Sequence, residues 1–317
     1  MPHMVSMRDR RSWRNRDATS LPSRFSISRD QFHLLLLAPA SLLILSLIAW
    51  PILITVELSL HDIRLFDILR GRTGDLTLDN YLVVLLDRQF YGALGRTVYY
   101  VLISTGIAFV WGMATALVLN EAFPGRTAAR LVIISPWVVP SAIGSLVWMF
   151  LFDGHLGLVN YALLSIGAID RPITFLVDRH WSMWAVIIAS VWKSYPFFTI
   201  MLLAGLQAIP NQYYEAARID GAPRWRRYFD ITLPALRNII AIAVFLSLLA
   251  SFREVETILV MTGGGPARAT ETLSLMIYNE TFQAYRAGRG ATLGVIAFLI
   301  SFAMMIFGFR RMMKDFF

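Results

Sequence analysis

Five polar side chains recur at helical spacing inside two strongly apolar stretches of the sequence. They are Ser190 and Ser194 in the first stretch and Ser247, Ser251 and Glu254 in the second. Residues three or four positions apart lie on one face of a helix, so each set would present its polar groups together. Hydroxyl groups beside aromatic rings such as Trp192 suit a ligand with hydroxyl groups at its edges and C–H groups on its face.

Helix packing could account for the same serines. Small hydroxyl side chains let apolar helices approach closely, so any single serine fits a packing role as well as a binding role. Two cations, Lys193 and Arg253, fall in the same stretches. They could form ion pairs with Glu254 or Glu256, extend toward a membrane interface, or meet an acidic ligand. Polar groups inside apolar spans usually face a cavity or another helix, and both interpretations stay open here.

The sequence lacks the residue patterns of an enzyme or a metal site. No cysteine occurs among the 317 residues, which excludes disulfides and thiolate ligands. The histidines are scattered without the spacing of metal ligands. The glycine-rich segment 262–266 reads TGGGP and lacks the Lys and Ser/Thr of a phosphate-binding loop. We therefore expect no catalytic residue, no metal site and no cofactor bound by this chain.

Composition places the chain in a membrane. Charged residues make up 16% of it, against about a quarter in soluble proteins, and runs of about 18–20 apolar residues, long enough to cross a bilayer as helix, recur. We predict an all-α integral membrane protein with six transmembrane helices. Their predicted bounds are 33–58, 97–119, 131–152, 183–207, 237–260 and 291–309.

The basic residues predict the orientation of the spans. The net charge of +8 comes from Lys and Arg in short segments that flank apolar runs. This pattern indicates a lipid membrane as the partner and argues against nucleic acid. An excess of Lys and Arg marks cytoplasmic segments, so we expect both termini in the cytoplasm. We interpret 1–32 as a basic cytoplasmic segment and 33–314 as the six-helix domain.

One charged cytoplasmic loop, 208–236, stands between two apolar spans. We expect a helix that starts at Pro210 and Asn211, with a side-chain cap, and ends at Gly221. A second helix would begin near Pro223 and end at Pro234 before the next span. The two helices could rest on anionic lipid or dock on another protein.

This loop resembles the EAA loop of permease subunits of ABC importers. The matching residues are Glu215, Ala216, Ala217, Asp220, Gly221, Ala222, Ile231, Leu233 and Pro234. In that family the loop is a pair of coupling helices that docks in a groove of a separate ATP-hydrolysing subunit. The resemblance implies that Glu215, Ala216, Ala217, Asp220, Gly221, Leu233 and Pro234 form the ATPase-coupling loop.

Three further motifs, LAGLQAIP, VMTGGGPARATETLSLMIY and LDNY, extend the resemblance over about residues 33–314. Together they are similar to permeases of binding-protein-dependent carbohydrate importers of the maltose and glycerol-phosphate type. The resemblance implies a type I ABC importer fold in the bacterial inner membrane. It also implies a second permease, two copies of an ATPase subunit that bind ATP and Mg, and an extracytoplasmic solute-binding protein.

The resemblance also bears on the polar side chains inside the spans. The substrate-contacting residues of maltose-type permeases resemble Ser247, Ser251 and Glu254, and Ser190 and Ser194 match similar positions before the loop. Maltose-type subunits tend to carry amides at positions 251 and 254, which points to a different polar group on the substrate here. Two alternative functions remain. The same importer machinery could carry a polyamine or an anion, or the chain could be a stand-alone secondary transporter.

Overall fold

The computed structural model describes residues 29–72 and 74–314, so most of the basic segment predicted over 1–32 lies outside it. Its contacts divide the chain into two compact units, Met1–Leu53 and Ile54–Phe317. The first elements are the helices α1 (Arg29–Ile44) and α2 (Trp50–Ser59), joined by a π-helical turn. Strands β1 (His61–Asp62) and β2 (Asp75–Leu76) then pair antiparallel, with α3 (Leu65–Leu69) between them.

The remaining secondary-structure elements of the described chain are helices, joined by loops and turns. In order they are α4 (Asp79–Leu86), α5 (Arg88–Asn120), α6 (Arg126–Val138), α7 (Ser141–Leu151), α8 (Leu158–Ser165), α9 (Ser182–Ala208), α10 (Asn211–Ile219), α11 (Arg224–Arg227), α12 (Leu233–Phe252), α13 (Glu256–Thr262), α14 (Leu273–Tyr278) and α15 (Ala287–Lys314). Because each span satisfies its own backbone hydrogen bonds, helix is the form that apolar sequence takes in lipid.

The prediction of a helical membrane protein is confirmed. Among the described residues, five helices are long and apolar enough to cross a membrane, or six if one bent pair counts as a span. The five are Leu36–Ser59, Arg88–Asn120, Ser182–Ala208, Arg224–Phe252 and Ala287–Arg310. Each overlaps one of the predicted spans. The cytoplasmic location of the two termini stays a prediction.

The span predicted over 131–152 is interrupted by a sharp bend at Pro140. It consists of α6 and α7, which meet at an angle of 100°. Pro140 has no amide hydrogen to continue the helix, and a residue before proline is disfavoured in the helical region. Val139 accordingly has an extended conformation, with φ −65° and ψ 130°. The chain restarts as α7, in which the Gly144 N–H donates to the Pro140 carbonyl at 2.9 Å.

The fifth span also differs from its prediction at both ends. Helix runs from Arg224 to Phe252, so Pro234 does not end the second loop helix as expected. A π-helical turn over Tyr228–Thr232 joins α11 to α12. Pro234 is the second residue of α12, and the helix continues through it. At the other end the helix stops at Phe252, short of the predicted residue 260.

Helix α9 is the central element of the larger unit. On one side it packs closely on α5, where any side chain at Gly112 would overlap Phe198. On another side it meets α12, where a Cβ at Gly205 would lie 2.7 Å from Leu236. The residues Phe198, Leu202 and Leu236 are fully buried at these contacts. This packing sets the polar residues of α5, α9 and α12 side by side.

Candidate functional site

A cavity of about 340 Å³ lies among α5, α9 and α12. Five of the six residues proposed from the sequence as substrate contacts line it, namely Ser190, Ser194, Ser247, Ser251 and Glu254. The first two come from α9, the next two from α12, and Glu254 follows the end of α12. Since these residues are up to 64 positions apart in the chain, only the packing of the helices brings them together.

The serines on the α9 side have committed their hydroxyl hydrogens. Ser190 donates to the Val186 carbonyl at 2.9 Å, and Ser194 donates to the Ser190 carbonyl at 2.8 Å. Tyr100 of α5, only 1% exposed, donates its O–H to the Ser190 oxygen at 2.8 Å. Through their lone pairs, the serine oxygens on this side act as acceptors toward a ligand.

The α12 side is held more loosely. The Thr105 hydroxyl of α5 lies 3.5 Å from the hydroxyls of both Ser247 and Ser251, a long distance for a hydrogen bond. Glu254 uses one carboxylate oxygen to accept the Thr257 N–H at 2.9 Å, which caps the first turn of α13. The second oxygen forms no ion pair within the described residues. These groups can therefore bond a ligand without losing a strong partner.

Trp192 does not line this cavity. Its ring packs at 6.0 Å and 72° against Trp148 of α7 and covers Gly144. A residue two positions from Ser190 and from Ser194 points about 200° away from them around a helix, which explains its placement. Aromatic groups reach the cavity instead from Phe197 and Trp137.

Tyr100, Trp137 and Thr105 belong to the site but were not predicted from the sequence. Tyr100 and Trp137 line the cavity directly, and Thr105 touches the serines of α12. Thr105 and Tyr100 are polar residues inside an apolar span, a signal that the sequence does carry. Trp137 has no such signal, since it reaches the cavity from the end of α6, beside the break in the third span.

The ion pairs considered for the two cations in the spans are not formed. Lys193 donates its ammonium group to the backbone carbonyl of Val139. The Arg253 guanidinium, which is exposed, reaches the Leu249 carbonyl of its own helix at 3.4 Å. Lys193 thus lines the same cavity as Glu254 without pairing with it.

The predicted coupling loop is a separate site at the other end of α9. Its first helix, α10, exposes Glu215 and Ala216 and ends as predicted at Gly221, whose φ is +73°. The Ala222 N–H closes the turn by donating to the Ala217 carbonyl at 2.9 Å. Of the other motif residues, Asp220 and Pro234 are exposed and Leu233 is half-buried. The side-chain cap expected at the start of α10 is not formed.

The loop is braced against the membrane helices. The Tyr214 hydroxyl of α10 hydrogen-bonds the buried Thr232 hydroxyl at 2.9 Å, which ties the exposed helix to the start of α12. A groove of about 1320 Å³ beside it is lined by Arg126, Arg218 and Arg224, among others. A push on α10 would therefore reach α12 directly.

Membrane-crossing helices around a polar cavity, with an exposed and braced loop, are features of a transporter subunit. Residues 108–314 match the protein family described as binding-protein-dependent transport system inner membrane component. The trehalose/maltose transport system permease protein MalF of Thermococcus litoralis is 34% identical over 298 residues, which cover 93% of this chain and 99% of the relative. The trehalose transport system permease protein SugA of Mycobacterium tuberculosis is 31% identical over 285 residues, 89% and 90% of the two chains.

The fold has a solved counterpart. In the crystal structure of a bacterial ABC transporter involved in the import of the acidic polysaccharide alginate, one chain superposes with a TM-score of 0.76 at 22% identity, covering 91% of this chain and 97% of that one. The present chain belongs to the binding-protein-dependent transport system inner membrane component family. It is a multi-pass inner-membrane permease of an ABC importer, and permeases of this family are transport subunits that lack ATPase activity.

Proposed function

We propose that this permease forms, with a second permease, the translocation path for a sugar or sugar derivative delivered by a solute-binding protein. The observation that carries the proposal is the convergence of five polar side chains on one cavity of about 340 Å³, within the range of about 300–1,000 Å³ typical of ligand sites. The names of the relatives support it, since they are permeases for trehalose or maltose and for sulfoquinovosyl glycerol.

The chemistry of the cavity suits a molecule rich in hydroxyl groups. The oxygens of Ser190 and Ser194 accept hydrogen bonds, the Ser251 hydroxyl can donate or accept, and the free oxygen of Glu254 accepts strongly. The ring of Phe197, together with that of Trp137, supplies an apolar surface for the C–H face of a sugar ring.

Energy would come from outside this chain. The complex would contain two copies of an ABC ATPase subunit, which bind ATP and Mg. One copy would dock on the loop over 208–236 of this chain, with Glu215 and the adjacent alanines at the contact, and the other on the second permease. The bond between Tyr214 and Thr232 would pass the movement to α12, which carries Ser247 and Ser251. Residues 33–314 would act as the permease domain, with 1–32 as a basic cytoplasmic anchor.

Copurification tests this assembly. The tagged chain would be extracted mildly from its native membrane, and the proteins that accompany it would be identified by mass spectrometry. We expect an ATPase, a second permease and a binding protein, whose ligand screen should return a sugar. Recovery of this chain alone would contradict the assembly, and a polyamine or an inorganic anion as the ligand would contradict the substrate class.

The orientation has its own test. A reporter enzyme that is active only outside the cytoplasm would be fused after Arg70, in the segment between the first two spans. We expect this fusion to be active. A second fusion after Arg224, in the loop, should score cytoplasmic. The opposite result at both positions would invert the topology and remove the loop from the reach of an ATPase.

A further inference from the structure

The break in the third span leaves backbone acceptors without helical partners. Helix α6 ends at Val138, and Pro140 has no N–H with which to extend it. The last carbonyls of a helix also form the negative end of its dipole, where a cation is stabilising. In a membrane protein, such a carbonyl needs a partner from elsewhere in the protein.

Lys193 supplies that partner across a helix contact. Its ammonium group donates to the carbonyl of Val139, 54 positions earlier in the sequence, at the point where α6 and α7 diverge. The side chain is half-buried, and no described carboxylate lies within ion-pair distance of it. The only polar group that the described structure gives the ammonium is therefore this backbone oxygen.

The tie also fixes one wall of the cavity. Trp137 lies two residues before Val139 and lines the cavity together with Lys193. Glycine at position 144 lets α7 come under the ring of Trp192, the residue directly before Lys193 in α9, with only 3.3 Å between that ring and the site of a Cβ. Both sides of the break are thus held to α9, one by a cation and one by an aromatic contact.

We propose that Lys193 is a positioning residue of the transport path. By capping the Val139 carbonyl, it holds the bent third span against α9 and keeps the Trp137 ring in the wall of the cavity. This inference rests on the proposed role of the cavity. It differs from the hypothesis that Lys193 binds an acidic substrate, because the ammonium group is already engaged by the backbone.

The absence of cysteine in the chain allows a direct measurement of the bend. A variant with two introduced cysteines, one at Val132 of α6 and one at Leu146 of α7, would carry a spin label at each position; both residues are exposed in this chain. Double electron–electron resonance would then report the distance between the two labels across the break. The labelled permease would be measured in its complete transporter in nanodiscs, with Lys193→Met as the test variant. Arg253→Met is the matched control, because it removes a nearby exposed cation that touches only its own helix.

We expect a single narrow distance in the unsubstituted protein and in Arg253→Met, and a broadened or double distribution in Lys193→Met. Lys193→Arg, which keeps a cationic donor, should restore the narrow distribution. A narrow distribution in Lys193→Met would overturn the inference, and so would equal broadening in Arg253→Met. If Lys193→Met fails to insert into the membrane, Lys193→Ser is the alternative test variant. A serine hydroxyl at this position can donate to a backbone carbonyl of α9, as the hydroxyls of Ser190 and Ser194 do.

Uptake kinetics separate positioning from substrate binding. With the loaded binding protein as the varied component, Lys193→Met or Lys193→Ser should lower the maximal rate about tenfold, as loss of a charge-assisted hydrogen bond allows, and leave the half-saturating concentration within about twofold. A rise of the half-saturating concentration at an unchanged rate would instead make Lys193 a substrate ligand. Because the label distances involve no solute, they decide the inference even if the sugar assignment fails.

Discussion

The coupling loop and the cavity differ in how their residues are distributed along the chain. From Glu215 to Gly221, the loop residues follow one another in one short exposed segment. In the cavity, Tyr100 and Ser190 are 90 positions apart and meet through the packing of α5 on α9. A function carried by consecutive residues can be read as a motif, whereas a site built between helices depends on which helices touch.

The two regions also differ in what their side chains do for the fold. Glu215 and Ala216 are exposed, and within the described residues the Glu215 carboxylate forms no ion pair, so both side chains are available to another subunit. The cavity residues are partly engaged: Ser190 accepts from Tyr100, and Glu254 caps α13. Substitutions in the loop should therefore alter function with little loss of stability, and substitutions in the cavity should alter both.

The largest effect is expected for Gly221→Pro and Glu215→Arg, which should abolish uptake. Proline fixes φ near about −65°, whereas Gly221 has φ +73°, so the turn after α10 cannot keep its shape. Arginine at position 215 reverses the charge on the exposed face of the loop. Uptake by intact cells would be compared at equal amounts of membrane-inserted protein.

The control for backbone strain is Gly167→Pro. Gly167 ends α8 with φ +70°, and its N–H donates to the Leu164 carbonyl at 3.0 Å, much as the Gly221 N–H donates to Arg218 at 3.1 Å. It lies outside both the loop and the cavity, so Gly167→Pro should keep most of the uptake. Normal uptake in Gly221→Pro or Glu215→Arg would remove the coupling role from the loop.

Ser251→Leu should have the next largest effect, a loss of at least about tenfold in uptake, corresponding to about 1.4 kcal/mol. The substitution removes a hydroxyl group and fills part of a cavity of only about 340 Å³. Ser165→Leu is the matched control, since Ser165 is exposed and its hydroxyl bonds only its own helix, at 2.8 Å. If affinity and rate were unchanged in Ser251→Leu, Ser251 would be a packing residue.

A smaller effect is expected for Glu254→Gln, about fivefold in the substrate concentration that half-saturates transport. The amide oxygen can still accept the Thr257 N–H, so α13 keeps its cap. What is lost is the charge, and hydrogen bonds to a charged group are stronger than neutral ones by about 1 kcal/mol. Substrate titration in proteoliposomes would measure it; an unchanged value would show that the second carboxylate oxygen does not meet the substrate.

Hydropathy and motif spacing were sufficient to predict the helical membrane fold, the location of each span and the helix of the loop that ends at Gly221. The length of an apolar run and a glycine at a helix end are local properties of the sequence. They can be predicted without knowing which helices pack together, and the structure shows both. Two prolines had unequal effects, and the helix end expected at Pro234 was wrong. Pro140 breaks its span by 100°, whereas Pro234 is absorbed in the first turn of α12 after a π-helical turn. Which outcome a proline has depends on the surrounding packing.

The cavity was predictable only in part. Ser190 and Ser194 share a helix face by spacing alone, and both line the cavity. Trp192 was proposed as a substrate contact beside them, but its ring packs on Trp148 and does not line the cavity. Trp137 could not be predicted, because it reaches the cavity only after the third span bends at Pro140. The contact between Lys193 and Val139 also requires that bend, so periodicity within one helix could not reveal it.

Asp153 should show the smallest effect, because it lies outside both regions, in the turn after α7. Its carboxylate accepts the N–H groups of His155 and Leu156, each at 2.8 Å. Both bonds lower the pKa of the Asp153 carboxyl, and the bond from Leu156 has the larger effect. A carboxyl group whose pKa is lowered by folding stabilises the fold above its ordinary pKa of about 3.9, and this contribution is lost as the pH falls through the lower, folded value.

The difference in thermal unfolding temperature between the unsubstituted protein and Asp153→Ala should therefore be constant from neutral pH down to about 5, and it should shrink below about 4. Asp153→Asn keeps an acceptor that does not titrate, so its difference from Asp153→Ala should not follow this pH dependence. Uptake should be unchanged in both variants, because the turn touches neither the cavity nor the loop. A large loss of uptake at Asp153 would mean that transport depends on a third region, and the division of function between a consecutive loop and an assembled cavity would no longer hold.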